Sequence, residues 1–306
     1  MQLKDRGRLI LKAGVKMNID VSDFNALIQK VWNYPQIDEN TDYTQLVIKA
    51  SETDGSGGKI TIKDIDRLAD YPDVKSVTIL GLSQDTFEYF INTYGQQLKY
   101  ICFWKNKAVE DWSLLSELPD LEGLSWYHNQ RITKLWDMTN NKSLKAVMLE
   151  DFTRLHDLSG VEKAPSLEWF GIGNAIWSTS EIDSLKPFIN SNVKHIDFHG
   201  KKIRDMDISF IPDMHNLEIF DFPSNLFSTE EVAWLVAKCP HLKGCSLGPY
   251  LIYRSYDTKT QSYYDSDVVI VGKRKPLLSL AVDDNKTQIK KYVDRFNELV
   301  EKYKNE

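Results

Sequence analysis

Cysteine is scarce in this chain of 306 residues: there are three, Cys102, Cys239 and Cys245. They form no CxxC pair and leave an odd count, which argues against a disulfide framework and for reduced thiols in a cytoplasmic protein. Long apolar runs are lacking too. No window approaches the roughly 18 uninterrupted apolar residues of a membrane span. The opening MQLKDRGRLILKAGVKMNID has an apolar stretch of only Leu9 to Leu11, too short for the core of a signal peptide. No run of lysine and arginine of the kind that neutralises phosphates is present, and the formal net charge is -6, so no nucleic-acid partner is expected. Catalytic signatures are missing as well: there is no GxSxG elbow, phosphate loop or HExxH. GIGNAIW, from Gly171, lacks the third glycine of a dinucleotide turn. The expectation is a protein that is not an enzyme and carries no cofactor.

What is present is repetition, which has to be sought before other patterns are read. Leu121–Ser143 and Leu144–Ser166 are consecutive segments of 23 residues with apolar residues at matching offsets. Extended in both directions, the units start at Val74, Leu98, Leu121, Leu144, Leu167, Val193, Leu217 and Leu242. Position 4 is then Val77, Ile101, Leu124, Val147, Phe170, Ile196, Phe220 and Cys245. Position 6 is Ile79, Phe103, Trp126, Leu149, Ile172, Phe198, Phe222 and Leu247, so all sixteen are apolar. Behind them Ile132, Leu135 and Met138, and in the next unit Leu155, Leu158, Val161 and Ala164, have the spacing of short 3₁₀ or helical turns. Three later segments, from Ser180, from Ile208 and from Ser228, read as longer and more helical, the last with a capping box of Ser228 and Glu231.

This pattern resembles the leucine-rich repeat family, whose unit opens LxxLxLxxN, and more narrowly its irregular bacterial, internalin-like members. The resemblance implies an α/β solenoid: a horseshoe with a curved parallel sheet on its concave side and short 3₁₀ or α segments on its convex side. It implies that the asparagine at position 9, here Asn106, Asn129 and Asn225, satisfies loop backbone groups. In one unit it is displaced to Asn174, and in others Leu82, Phe152, Lys201 or Tyr250 replaces it.

Three regions follow. Residues 1–45 hold an amphipathic helix from Val21 to Trp32 and are expected to cap the first repeat. Residues 46–250 form the solenoid, about eight repeats after a partial first unit, with a glycine-rich connector near Gly55. That connector is not a calcium loop, because Lys63 stands where a bidentate glutamate is needed. Residues 251–306 read as a hairpin and a final helix that cap the last repeat: DVVIVG and LLSLAV as strands, after a polar, tyrosine-rich YRSYDTKTQSYYDSD.

Because strand side chains alternate, positions 3, 5 and 7 point away from the face that positions 4 and 6 bury. The expected ligand-binding face comprises Tyr100, Trp104, Tyr127, Met148, Glu150, Trp169, His195, Asp197, His199 and Asp221, with His128 in the adjoining turn. Large aromatics spent on such a surface suggest anchors for a protein or peptide. A sharper group is His195, Asp197 and His199 on one strand, with Asp221 one strand over, about 4.8 Å away. Two histidines at i and i+4 lie about 13 Å apart on a strand, so the alternative of a metal site uses Asp197, Asp221 and one histidine such as His199. A third reading makes residues 250–306 the contact region of an adaptor. Cys102, one repeat from His128, has no orienting partner and reads as a plain thiol.

Overall fold

The computed structural model describes residues 45–48, 59–174 and 180–306. The amphipathic helix of residues 1–45, the connector near Gly55 and the segment 175–179 lie outside them. The chain divides into two compact units, one spanning most of 20–206 and the other 207–213 with 218–306.

In the first unit each repeat contributes one short strand. These are β1 (Gln45–Ile48), β2 (Ser76–Leu80), β3 (Tyr100–Trp104), β4 (Gly123–Asn129), β5 (Ala146–Phe152), β6 (Trp169–Gly173) and β8 (His195–His199). They pair in that order, every pair parallel. One short parallel strand per repeat is what the repeat pattern leads one to expect. Between β6 and β8 and after β8 lie two-residue strands, β7 (Glu181–Ile182) and β9 (Lys202–Ile203), which pair with each other.

The repeat phase decides which side chains are enclosed. At position 4, Val77, Ile101, Leu124, Val147, Phe170 and Ile196 are all buried, as are Ile79, Phe103, Trp126, Leu149, Ile172 and Phe198 at position 6. Each such side chain, fully removed from water, stabilises by about 1.5–3 kcal/mol. The helix α1 (Gln84–Tyr94) adds to this layer. Ser83 caps it by accepting from the Thr86 amide, and Phe87, Phe90 and Ile91 turn one face inward. Phe103 packs 4.3 Å from Trp126 and 5.6 Å from Phe87, centroid to centroid.

Behind the strands run loops that must bury their own backbone, and asparagine satisfies it. Asn106 Nδ2 donates to the Ile79 carbonyl while its Oδ1 accepts from the Leu82 amide. Asn129 makes four such bonds, to the carbonyls of Asn106 and Val109 and from the amides of Arg131 and Ile132, all at 2.8–3.1 Å. Asn141, which the repeat motif did not single out, binds the carbonyls of Leu115 and Leu118 and accepts from Trp136 Nε1. Asn225, by contrast, is exposed. In the unit of β6, the Ser180 hydroxyl donates to the Gly173 carbonyl instead.

Several expectations for the back of the repeats are corrected. The segments after Ser180 and Ile208 hold only three-residue 3₁₀ turns, Lys186–Phe188 and Ile211–Asp213. Pro187 and Pro212 stand inside those turns, and each removes a backbone donor that a longer helix needs. Helix α1 was not foreseen.

The second unit contains β10 (Ile219–Asp221), α2 (Thr229–Lys238), β11 (Tyr250–Asp257), β12 (Ser262–Ile270), β13 (Leu277–Ser279) and α3 (Asp283–Lys304). Ser228 and Glu231 form the capping box of α2. The unit starting at Leu242 makes no strand, only a bridge from Lys243 to Ile219. There Ser246 is buried while Cys245 is half-buried, and a side chain at Gly244 would meet the Phe220 carbonyl. The tyrosine-rich segment holds most of β11 and the first part of β12, which pair as an antiparallel hairpin. Val268, Ile270 and Leu278 form a small core on which Ile289 and Tyr292 of α3 pack.

Candidate functional site

The parallel register stacks positions 3, 5 and 7 into three rows on one face of the sheet. Row 3 reads Ser76, Tyr100, Gly123, Ala146, Trp169, His195; row 5 reads Thr78, Cys102, Ser125, Met148, Gly171, Asp197; row 7 reads Leu80, Trp104, Tyr127, Glu150, Gly173, His199. The sequence-derived candidates of β3 to β8 therefore do share a face, but they are not equally open to solvent.

Tyr100, Tyr127, Glu150, Trp169 and His195 are buried, which corrects the expectation that they stand out toward a partner. Large side chains lie across small neighbours and shield one another. The Trp169 ring and the Met148 sulfur lie over Gly171, in space that a side chain there would fill. Trp169 meets His195 edge-on at 5.8 Å. Tyr100 donates its hydroxyl to Glu122 at 2.5 Å, and Glu122 also pairs with Lys99 at 2.7 Å. What remains half-exposed is a strip along rows 5 and 7: Thr78, Trp104, Met148, Asp197 and His199. Trp104 stacks on Tyr127 at 4.4 Å.

After row 7 of β2 to β5 the chain passes through a left-handed residue: Gly81, Lys105, His128 and Asp151 have φ of 77°, 57°, 65° and 55°. For the three that are not glycine this conformation costs on the order of 1–3 kcal/mol. It sets His128 at the rim of the face, half-buried, with burial holding its imidazole below the ordinary histidine range.

The most structured part of the face is centred on His199. Its ring lies over Gly173 of the neighbouring strand, where a Cβ would come within 2.5 Å of the imidazole Cδ2. Having no side chain beneath it, the ring reaches past β6 to β5. There Nε2 stands 3.4 Å from Glu150 Oε1, while Nδ1 stands 3.5 Å from Asp197 Oδ1 on its own strand. Burial disfavours the imidazolium, but the contacts with Asp197 and Glu150 outweigh it and push the His199 pKa up to about 9. His199 is therefore a cation at neutral pH. The contact with Glu150 is not a close, aligned hydrogen bond: Nε2 is buried without a hydrogen-bond partner. The Glu150 side chain is only 7% exposed, and among the described residues this ion pair is its one polar contact.

The metal alternative does not assemble. An imidazolium with both nitrogens turned to carboxylates has no lone pair to give a metal. Asp221 belongs to the second unit, where its Oδ1 accepts from the Cys245 amide at 2.7 Å. Among the described residues, no group of three or more histidine, cysteine, aspartate or glutamate side chains is placed to hold a metal ion. Cys102 is buried, and burial pushes its thiol up to about 11, the wrong direction for a nucleophile.

The link between Glu150 and His199 escaped the sequence reading. Its signal was there: once the rows are aligned, Gly173 stands between the two in row 7, and a glycine flanked by a carboxylate and an imidazole leaves room for them to meet.

No family model matches the chain, and no curated protein does. Among solved structures, an internalin (InlF) from Listeria monocytogenes is similar at 18% identity, with 62% of this chain and 52% of that one covered and a TM-score of 0.47. The structure of a TLR13–ssRNA13 complex is similar at 16% identity, with 61% of this chain and 28% of that one covered and a TM-score of 0.47. This chain thus spans 52% of the internalin and 28% of the TLR13 chain.

Proposed function

We propose that this chain is a non-enzymatic binding scaffold, and that the half-exposed strip along rows 5 and 7 of the parallel sheet receives a protein or peptide. One observation carries the reading: Trp104, Met148, Asp197 and His199 stay open to water on a face whose other large side chains are packed away. Aromatic area held rigidly at low entropic cost is what binding surfaces use. The three cysteines, none of them in a disulfide, support a reducing, cytoplasmic setting. In this reading residues 1–45 and 251–306 serve as terminal caps.

A second reading rests on the hairpin of the other unit. Tyr253, Tyr256, Tyr263 and Tyr264 are all exposed, Tyr263 to 61%, and Tyr256 stacks on Tyr263 at 5.0 Å. Residues 250–306 then act as the contact region of an adaptor.

Site-directed photo-crosslinking separates the two. A photoreactive side chain at Met148 is expected to capture the partner in cells, and one at the exposed Ser159 behind the sheet is not. Capture from Tyr263 alone supports the hairpin reading instead. Capture from Ser159 and not from Met148 would count against the sheet face.

A further inference from the structure

The chemistry of the strip narrows what can occupy it. No lysine or arginine stands in rows 3, 5 or 7 of β2 to β6 and β8, while Glu150 and Asp197 do. Both carboxylates are served by one imidazole at 3.4 and 3.5 Å, longer than the roughly 2.7–2.9 Å of a charge-assisted hydrogen bond. Glu150, only 7% exposed, has no cation other than His199 within ion-pair distance among the described residues. His199 neutralises one of two negative charges and supplies at most two N–H donors, whereas a guanidinium supplies five and an ammonium three. The cluster therefore retains both charge and acceptor capacity for a further cation, and the 33% exposure of the Asp197 side chain leaves it a way in.

The other end of the strip is apolar. Trp104 on β3, stacked on Tyr127 of β4, lies two strand spacings from Glu150 on β5 and four from Asp197 on β8, so the point between the two carboxylates is three spacings away, roughly 14 Å, which an extended chain covers in about four residues.

We propose that the occupant is an extended peptide segment running across the strands, with an apolar side chain against Trp104 and Tyr127 and, about four residues along, a lysine or arginine against Glu150 and Asp197. This rests on the reading of the sheet face as the binding surface. Electrostatic complementarity then sets the selectivity: segments with an acidic residue at the same place are rejected by like charge.

The test uses the full chain and short labelled synthetic peptides: one with a leucine, a three-residue spacer and an arginine, and a counterpart with glutamate for the arginine. Fluorescence polarisation is expected to show the arginine peptide binding at least about tenfold more tightly. Glu150→Gln with Asp197→Asn is expected to erase that preference, and Trp104→Ala to weaken the peptide whatever its charge. Thermal melts verify that each variant folds, and Asp197→Asn alone, at a half-exposed position, tests the same point if the pair does not. Equal binding of both peptides, lost in Trp104→Ala, overturns the cationic occupant and leaves the face standing. Binding indifferent to Trp104→Ala and to the carboxylate variants overturns both. Failure of either peptide to bind at millimolar concentration overturns the peptide occupant.

Discussion

The seven-stranded repeat sheet and the three-stranded sheet near the C-terminus use tyrosine and tryptophan in opposite ways. In the repeat sheet Tyr100, Tyr127 and Trp169 reach toward the solvent side of their strands and are still enclosed: Tyr100 stands between Ser76 and Gly123, Trp169 lies over Gly171 beside Ala146, and Trp104 stacks on Tyr127. In the β11–β12 hairpin Tyr253, Tyr256, Tyr263 and Tyr264 stand in water even though Tyr264 pairs with Ser255, since no succession of equivalent repeat strands lies beside them. Strand position alone does not decide exposure. The row of neighbours does, since a parallel register places equivalent positions of successive repeats side by side about 4.8 Å apart.

This contrast sets expectations for substitutions, the most damaging in the repeat unit. Asn129→Ala removes four hydrogen bonds and strands buried amides and carbonyls; a loss of about 3 kcal/mol or more is expected in urea unfolding. A change under about 1 kcal/mol would mean that water replaces the side chain. Gly173→Ala places a Cβ in the path of the His199 ring and backbone; it should cost about 1–3 kcal/mol and separate His199 from Glu150. If it proves neutral, the small residues of the rows are not what lets their neighbours pack.

The third expectation concerns pH. The folded-state pKa of His199, about 9, lies above the ordinary value of 6.5, so the folded protein binds this proton more tightly than the unfolded chain. Its stabilisation is fully present below pH 6.5, declines as pH rises through about 9, and is gone above that. On the order of 1–2 kcal/mol is expected, since partial exposure of His199 and Asp197 screens the pair. His199→Gln should flatten that part of a stability-against-pH curve, and an unchanged slope would assign it to another group. The smallest effect belongs to the hairpin: Tyr256→Ala should shift stability by no more than about 0.5 kcal/mol. A larger loss would show that the exposed tyrosines hold the hairpin together.

The repeat phase was readable because burial at positions 1, 4 and 6 imposes a periodic demand that no neighbouring residue can relieve. Asn106 and Asn129 were readable for a related reason: a buried loop backbone needs a side chain with both donor and acceptor at a fixed offset. Where the demand can be met in another way the pattern fades, as where the Ser180 hydroxyl takes the Gly173 carbonyl or Asn141 serves the turn before its own unit. The hairpin was half-seen: DVVIVG shows as apolar, but β11 and the start of β12 carry polar side chains on both faces and leave no alternation to detect. The site was readable as a face but not as contacts. His199 meets Glu150 across two strand spacings, and that follows only from comparing three repeats in row 7 at once.

Proton NMR titration of the imidazole of His199, assigned through His199→Gln, examines the arrangement on which the account of this face depends. A midpoint near 9 is the expected result. A midpoint at or below 6.5 would contradict the account, since an imidazole held between Glu150 and Asp197 cannot give up its proton so readily.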